Sequence, residues 1–298
     1  MTLTATAVPA VAPPLRFRIA NLEAQRLTGR SYLSHSQLSL FRGCPRKFAY
    51  IYREKATPDF QPVSLILGGA IHAALEFHFR HQLEGQPTTS ADLLHAFMAA
   101  WQAQCEQHPG PGPGVPVKFN KGEGIDQVFD LARRIIEAFL ASPASKPHGQ
   151  IVGIEEQLTV TLAPDLPDLL AKVDLVTQTA DSLHVVDWKT SRSRWTLEKA
   201  AENSEQLRLY ARIVRDMADG LRLPVSLHFV VVTKAKSPVV QVLDVPTPDH
   251  LSDHGEAHRL AENVRQVWAA IKAGTDYPSP SPMQCSTCPF KSRCPAFS

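Results

Sequence analysis

Two short apolar runs each carry an aspartate. One is Leu170-Ala171-Lys172-Val173-Asp174-Leu175-Val176 and the other is Leu183-His184-Val185-Val186-Asp187-Trp188-Lys189. Runs of this length and content read as buried strands. Residues i and i+2 of a strand point to one face, so Asp187 and Lys189 project side by side. An antiparallel neighbour can bring Asp174 beside them. Two carboxylates and an ammonium at one point on a sheet are costly unless a divalent cation ties them together. Oxygen ligands suit a hard ion such as Mg²⁺ or Mn²⁺. The lysine can then orient a water and help it lose a proton.

A further ligand is expected from a helix packed on that sheet. In Leu67-Gly68-Gly69-Ala70-Ile71-His72-Ala73-Ala74-Leu75-Glu76, His72 and Glu76 are four apart and share a helix face. Downstream, Gln206 and Tyr210 share a face in the same way, and both can hydrogen-bond a phosphate or the lysine. His78, His81 and Glu84 follow His72 at helical spacing, but exposed histidine clusters are common. Trp188 alternates away from Asp187 and reads as core.

In this order, G-x-x-x-H-x-x-L-E, V-D, V-V-D-W-K-T and Q-x-x-x-Y, the chain resembles the RecB-type nucleases of the PD-(D/E)XK superfamily. The resemblance begins at Ser34-His35-Ser36-Gln37-Leu38 and runs to the C-terminus. It implies His72, Asp174 and Asp187 as metal ligands and Lys189 as the catalytic lysine. Gln206 and Tyr210 would support the active centre and contact DNA. Val173 stands where the superfamily's name implies proline, a residue that RecB-type members commonly lack. The implied fold is α/β, a restriction-endonuclease-like α-β-β-β-α-β core with a helical N-terminal part.

Three of the five cysteines form Cys285-x2-Cys288-x5-Cys294, and Cys44 stands far upstream. Thiolates at this spacing, in a chain without secretory features, read as metal ligands. A zinc site usually takes two local pairs, whereas an iron–sulfur cluster needs four thiolates. The pattern resembles the iron-staple nuclease domains of AddB-type subunits and of CRISPR-associated adaptation nucleases. It implies a 4Fe–4S cluster on Cys44, Cys285, Cys288 and Cys294, with zinc as the alternative. Cys105, in an apolar helical stretch, reads as a buried thiol.

The net charge of +2 neither demands nor excludes nucleic acid, so DNA contact must rest on local patches. Arg192 and Arg194, directly after the lysine strand, are the best candidates for phosphate contact. Arg42, Arg46, Lys47, Lys234 and Lys236 are also near the expected site. No apolar run approaches a membrane span. The first residues lack a basic segment and read as an arm rather than a signal peptide, which points to the cytoplasm.

Along the chain, residues 1–30 read as a disordered arm and 31–298 as one nuclease domain. A helical insertion is expected at about 85–145 and an iron–sulfur tail at about 274–298. Helices are expected near 34–42, 45–55, 68–84, 91–107, 124–141, 203–219 and 248–273. Strands are expected near 151–162, 168–178, 183–189, 225–234 and 239–244. A Pro-Gly loop covers 108–116. No P-loop motif occurs, so a helicase partner would be another polypeptide. The expected activity is a metal-dependent DNA nuclease, an exonuclease on single strands or ends, in repair, recombination or defence. The alternatives are a subunit of a helicase–nuclease or CRISPR adaptation complex, a non-catalytic DNA-binding module, and an iron–sulfur redox regulator.

Overall fold

A computed structural model describes residues 21–106, 114–217, 223–245 and 254–297. Composition predicts an unstructured arm to about residue 30, but a helix, α1 (Leu22–Thr28), occupies its end. Asn21 accepts the Ala24 N–H at 2.8 Å, and Gly29 closes the helix at φ 73°. A cap at each end makes so short a helix possible. Residues 1–20 of the expected arm lie outside the described residues, as do 107–113 of the Pro-Gly loop.

A two-residue strand, β1 (Leu33–Ser34), leads into α2 (His35–Gly43), which Ser34 caps by accepting the Gln37 N–H at 3.3 Å. Pro45 starts α3 (Pro45–Phe48), which runs on as a π-helical turn, Ala49–Arg53. Then come β2 (Gln61–Pro62), α4 (Val63–Leu83), α5 (Ser90–Glu106), β3 (Val117–Lys118) and α6 (Ile125–Leu140). β2 and β3 pair in parallel beside these helices. The sheet strands β4 (Gln150–Val160), β5 (Leu169–Gln178) and β6 (Leu183–Ser191) follow, then α7 (Leu197–Glu202) and α8 (Glu205–Met217). β7 (Val225–Thr233), β8 (Val240–Val245), α9 (His254–Lys272) and the short α10 (Pro282–Ser286) complete the chain. The order α4-β4-β5-β6-α8-β7 is the expected α-β-β-β-α-β. The predicted ends of the 203–219 and 248–273 helices fall partly outside the described residues.

The sheet is mixed, in the order β1-β5-β6-β7-β8, with β4 paired to β5. Helices cover both faces, which is why β5, β6 and β7 read as near-continuous apolar runs. One core packs Val185, Leu227, Phe229 and Val231 against Leu207, Tyr210, Val264 and Trp268. The other packs Leu175, Trp188 and Val230 against Ile71, Phe79, Phe97, Ile135 and Phe139. Trp188 is 1% exposed and its ring stacks on Phe79 at 5.5 Å. Burying side chains of this size stabilises by about 1.5–3 kcal/mol each.

Candidate active site

The register of β5 creates an opening. One edge of β5 pairs with β4 from Leu169 to Gln178. The other edge pairs with β6 only from Leu175 to Gln178, and with β1 only at Leu169 and Leu170. Residues 171–174 on that edge therefore have no strand partner. Asp174 lies at the point where β6 leaves, and its Oδ2 accepts the Trp188 N–H at 2.7 Å in place of a main-chain carbonyl. Tyr210, from α8, sits against the same gap near the Lys172 main chain. The Asp174 side chain thus satisfies a backbone N–H that the sheet abandons.

Titratable groups converge on this gap. One further step of the β5–β6 register sets Asp174 opposite Asp187. Glu155 of β4 lies between the pairs Ile154–Leu175 and Glu156–Val173, which sets it opposite Asp174 on the other side. Glu155, Asp174 and Asp187 are thus neighbouring register positions on three adjacent strands. α4 supplies His72, whose Nδ1 is 3.6 Å from Asp174 Oδ2. The donor atoms of His72, Glu155 and Asp174 lie within 4.8 Å of one another. Asp187 stands just outside that set, yet near enough to act electrostatically on His72.

Lys189 Nζ lies 2.5 Å from Asp187 Oδ2 and donates to Gln206 Oε1 at 3.2 Å. Gln206 Nε2 in turn donates to the Tyr210 hydroxyl. The chain Asp187–Lys189–Gln206–Tyr210 holds the ammonium from both sides. Gln206 and Tyr210 meet because one helical turn separates them.

Burial is the main electrostatic influence. It pushes the Asp187 carboxyl up to about 6, against the pull of Lys189, and the charge of Asp174 adds to the rise. Burial also raises Glu155, opposed by Lys172 and reinforced by Asp174 and Glu76. In His72 burial pulls downward, but the nearby Asp174 carboxylate, with Asp187 behind it, carries the imidazole above its ordinary value. Burial raises Tyr210 as well. Asp187 Oδ2 and Glu155 Oε2 are buried, and a lysine ammonium is the partner of each, Lys189 and Lys172. Buried carboxylates that already attract cationic groups fit a metal ion. Carboxylate oxygens with one imidazole suit Mg²⁺ or Mn²⁺.

The structure therefore brings together His72, Asp174, Asp187, Lys189, Gln206 and Tyr210. Glu155 is the residue that sequence reasoning missed. It follows Ile154 in a strand and precedes another glutamate, so it reads as a solvated position. The signal was a pair of adjacent acids interrupting an alternating strand. Glu155 also adopts φ 53°, which reorients its side chain.

Some residues lie elsewhere. Tyr210 is 3% exposed and its hydroxyl is engaged by Gln206, so the expected DNA contact does not fit it. Arg192 and Arg194 are exposed in the loop after β6. Arg42 pairs with Glu205, and Arg46 pairs with Glu54 and Asp276, so both tie the fold. Glu76 pairs with Arg80. His78 is buried and bonded to Thr88 and the Ser145 carbonyl, a satisfied core histidine.

The cysteine tail folds back on the segment around Cys44. Arg46 N–H donates to the Tyr277 carbonyl at 3.0 Å, and Tyr50 hydroxyl to the Arg293 carbonyl at 2.6 Å. Phe290 stacks on Tyr50 at 5.2 Å, and Ser292 donates to Asp59 at 2.6 Å. All five cysteines are half-buried thiols. Burial raises the Cys288 thiol, opposed by the Phe290 backbone and Lys47, with Cys44 and Cys285 adding smaller contributions. Cys105, expected to be buried, is only half-buried because it lies at the margin of the α4–α6 core.

A comparison with curated proteins gives no match. A candidate exonuclease from Eubacterium rectale has a similar solved structure, with a TM-score of 0.53 at 16% identity. That likeness covers 91% of this chain and 89% of the other. A second structure, SSO0001, gives a TM-score of 0.33 at 14% identity over 80% of this chain and 88% of that one, too distant to carry an argument. Among the described residues no helix is long and apolar enough to cross a membrane. The sequence pattern of the PD-(D/E)XK nuclease superfamily matches residues 32–295, and the chain belongs to that superfamily.

Proposed function

We propose that the protein is a divalent-metal-dependent deoxyribonuclease acting on DNA ends or single strands. The observation that carries this reading is the gap in the β5 edge, where Glu155, Asp174 and Asp187 meet His72 and Lys189. His72, Glu155, Asp174 and Asp187 would hold Mg²⁺ or Mn²⁺. When bound, such an ion supplies Lewis acidity at the scissile phosphate and at the attacking water. Lys189, fixed by Asp187 and Gln206, places a positive charge beside the phosphate as negative charge grows there. A lysine has an ordinary pKa of about 10.4, so charge stabilisation rather than proton abstraction is its role. Arg192 and Arg194, exposed after the lysine strand, would hold neighbouring phosphates.

The description of the Eubacterium rectale protein is a reason to test DNA ends first. End-labelled single- and double-stranded DNA incubated with Mg²⁺ or Mn²⁺ should be shortened from an end. EDTA and Asp187→Ala should abolish the shortening. Equal cleavage by Asp187→Ala protein would remove the assignment.

We infer further that Cys44, Cys285, Cys288 and Cys294 hold a 4Fe–4S cluster that ties the tail to the α2–α3 junction. The docked tail and the mutual influence of Cys44, Cys285 and Cys288 support this. Such a cluster supplies folding energy. Anaerobically purified protein should be brown, with about four irons per chain. A colourless preparation with one zinc would contradict it. A helicase or CRISPR adaptation partner has no observation behind it and forms no part of this reading.

A further inference from the structure

Trp101, Trp188 and Trp268 are buried in the two cores. Trp195 is the exception. It is half-buried in the loop between β6 and α7, and the exposed Arg192 and Arg194 come just before it. The lysine strand holds its indole in place. Asp187, Lys189 and Ser191 alternate onto one face of β6. Ser191 Oγ accepts the indole Nε1–H at 3.0 Å. Ser191 stands two residues, about 6.6 Å, beyond Lys189 along the strand. That is comparable to the reach of one nucleotide in an extended strand.

Phe229 of β7 is a neighbour common to Lys189 and Trp195. Its ring centroid is 5.9 Å from Lys189 Nζ and 5.2 Å from that of Trp195, which meets it edge-on. Gln241 of β8 fixes the backbone, accepting the Trp195 N–H at 2.9 Å and donating to its carbonyl at 3.2 Å. The polar atoms of Trp195 are thus satisfied within the fold, and the indole is held before any ligand arrives. The ring face is covered differently. Lys199 of α7 places its ammonium over it, 5.1 Å from the centroid. A lysine head is a strongly hydrated charge on a flexible stem, easily moved aside. Packing accounts for the edge that meets Phe229, but not for a face left to a lysine.

We propose that Trp195 is a stacking platform for an unpaired base of the DNA strand, next to the phosphate at Lys189. This rests on the nuclease reading and narrows its substrate to strands with unpaired bases at that position. Stacking needs only a π-face, so the platform takes any base. The incoming base displaces the Lys199 ammonium, which then pairs with the adjoining phosphate. Arg192 and Arg194 hold phosphates on the approach. A base inside a duplex has its faces covered by its neighbours, so the platform favours single strands and frayed ends.

The test measures binding to the full chain in Ca²⁺ by fluorescence anisotropy, with two labelled strands of equal length. One is oligothymidine, and the other carries the same phosphates on base-free tetrahydrofuran units. Trp195→Leu should weaken binding of oligothymidine by about tenfold or more and leave the base-free strand unaffected. Trp195→Tyr should restore most of the loss. In Mg²⁺, Trp195→Leu should raise KM on single strands more than it lowers kcat. An equal loss on both strands would show that the indole only props the fold, and no loss on either would show that no base reaches it. Either result overturns the platform. Should Trp195→Leu fail to fold, indole emission decides. Oligothymidine should quench wild-type emission more than that of Trp195→Phe protein, and equal quenching overturns the platform. Wild-type protein that neither binds nor cuts DNA would instead refute the nuclease reading beneath it.

Discussion

The carboxylate gap and the cysteine tail both carry metal-type side chains, but among the described residues only the gap brings three such ligand atoms within 4.8 Å of one another. The gap is built from strand register and one helical turn, so its side chains are in place before any ion arrives. The tail is held by a few contacts to the Cys44 segment, the Tyr50–Phe290 stack and the Arg46–Asp276 pair among them. Removing a ligand from a preformed gap should damage chemistry and spare stability. Removing one from a long loop closure should damage stability and spare chemistry.

The sharpest contrast is at Lys189 and Asp187. Lys189→Ala should lower turnover by about 10²–10³-fold, because the lysine's charge serves the transition state. Asp187→Asn should be similarly slow, yet its melting temperature should not fall. Folding already disfavours the ionised form of this buried carboxyl. Single-turnover rates and thermal melts check both, and a large drop in melting temperature for Asp187→Asn would break the comparison.

Cys44→Ala should behave in the opposite way. Losing a staple that closes so long a loop should cost up to about 5 kcal/mol in the cluster-loaded protein. Denaturant midpoints measure this loss. Cleavage below the new melting temperature should persist. Tyr210→Phe should have an intermediate effect, because its hydroxyl holds Gln206, the partner of Lys189. It should cost about 1–3 kcal/mol by stranding the Gln206 amide. Turnover should fall while Mn²⁺ affinity, read by calorimetry, changes little.

The smallest effect concerns Glu205, which ties α8 to Arg42 and His35 of α2. His35, 3.8 Å away, and Arg42, which donates to both carboxylate oxygens, hold this carboxyl down at about 2. A depressed carboxyl stabilises the fold above its unfolded value and loses that contribution as pH falls toward 2. Glu205→Gln should cost only about 0.5–1 kcal/mol at neutral pH, since the pair is half exposed. The difference from wild type should start to shrink below about pH 4 and vanish only near pH 2, as read from denaturation at several pH values.

Much of the gap was legible in the sequence because its spacings are those of regular structure. Asp187 and Lys189 differ by two in a strand, and Gln206 and Tyr210 by four in a helix. Apolar runs marked β5, β6 and β7 because both sheet faces are covered. Glu155 was not legible, since only the β4–β5 register sets it opposite Asp174. Nor was the opening itself, which depends on β1, a strand of two residues and too short to show periodicity. The inward place of Tyr210 was hidden too, because its burial against the sheet is set by tertiary packing that no local pattern announces. α1 was missed because its apolar content is slight and its caps decide it.

The central claim is that side chains around the gap in β5 hold a divalent ion and use it to cut DNA. Asp174 pairs with His72, accepts the Trp188 N–H and stands in register between Glu155 and Asp187, so it tests the claim most directly. Mn²⁺ calorimetry and cleavage of end-labelled DNA should be measured together on wild-type and Asp174→Ala protein. Loss of Mn²⁺ binding together with loss of cleavage at every Mn²⁺ concentration is the predicted result. Wild-type cleavage by the Asp174→Ala protein would contradict the account.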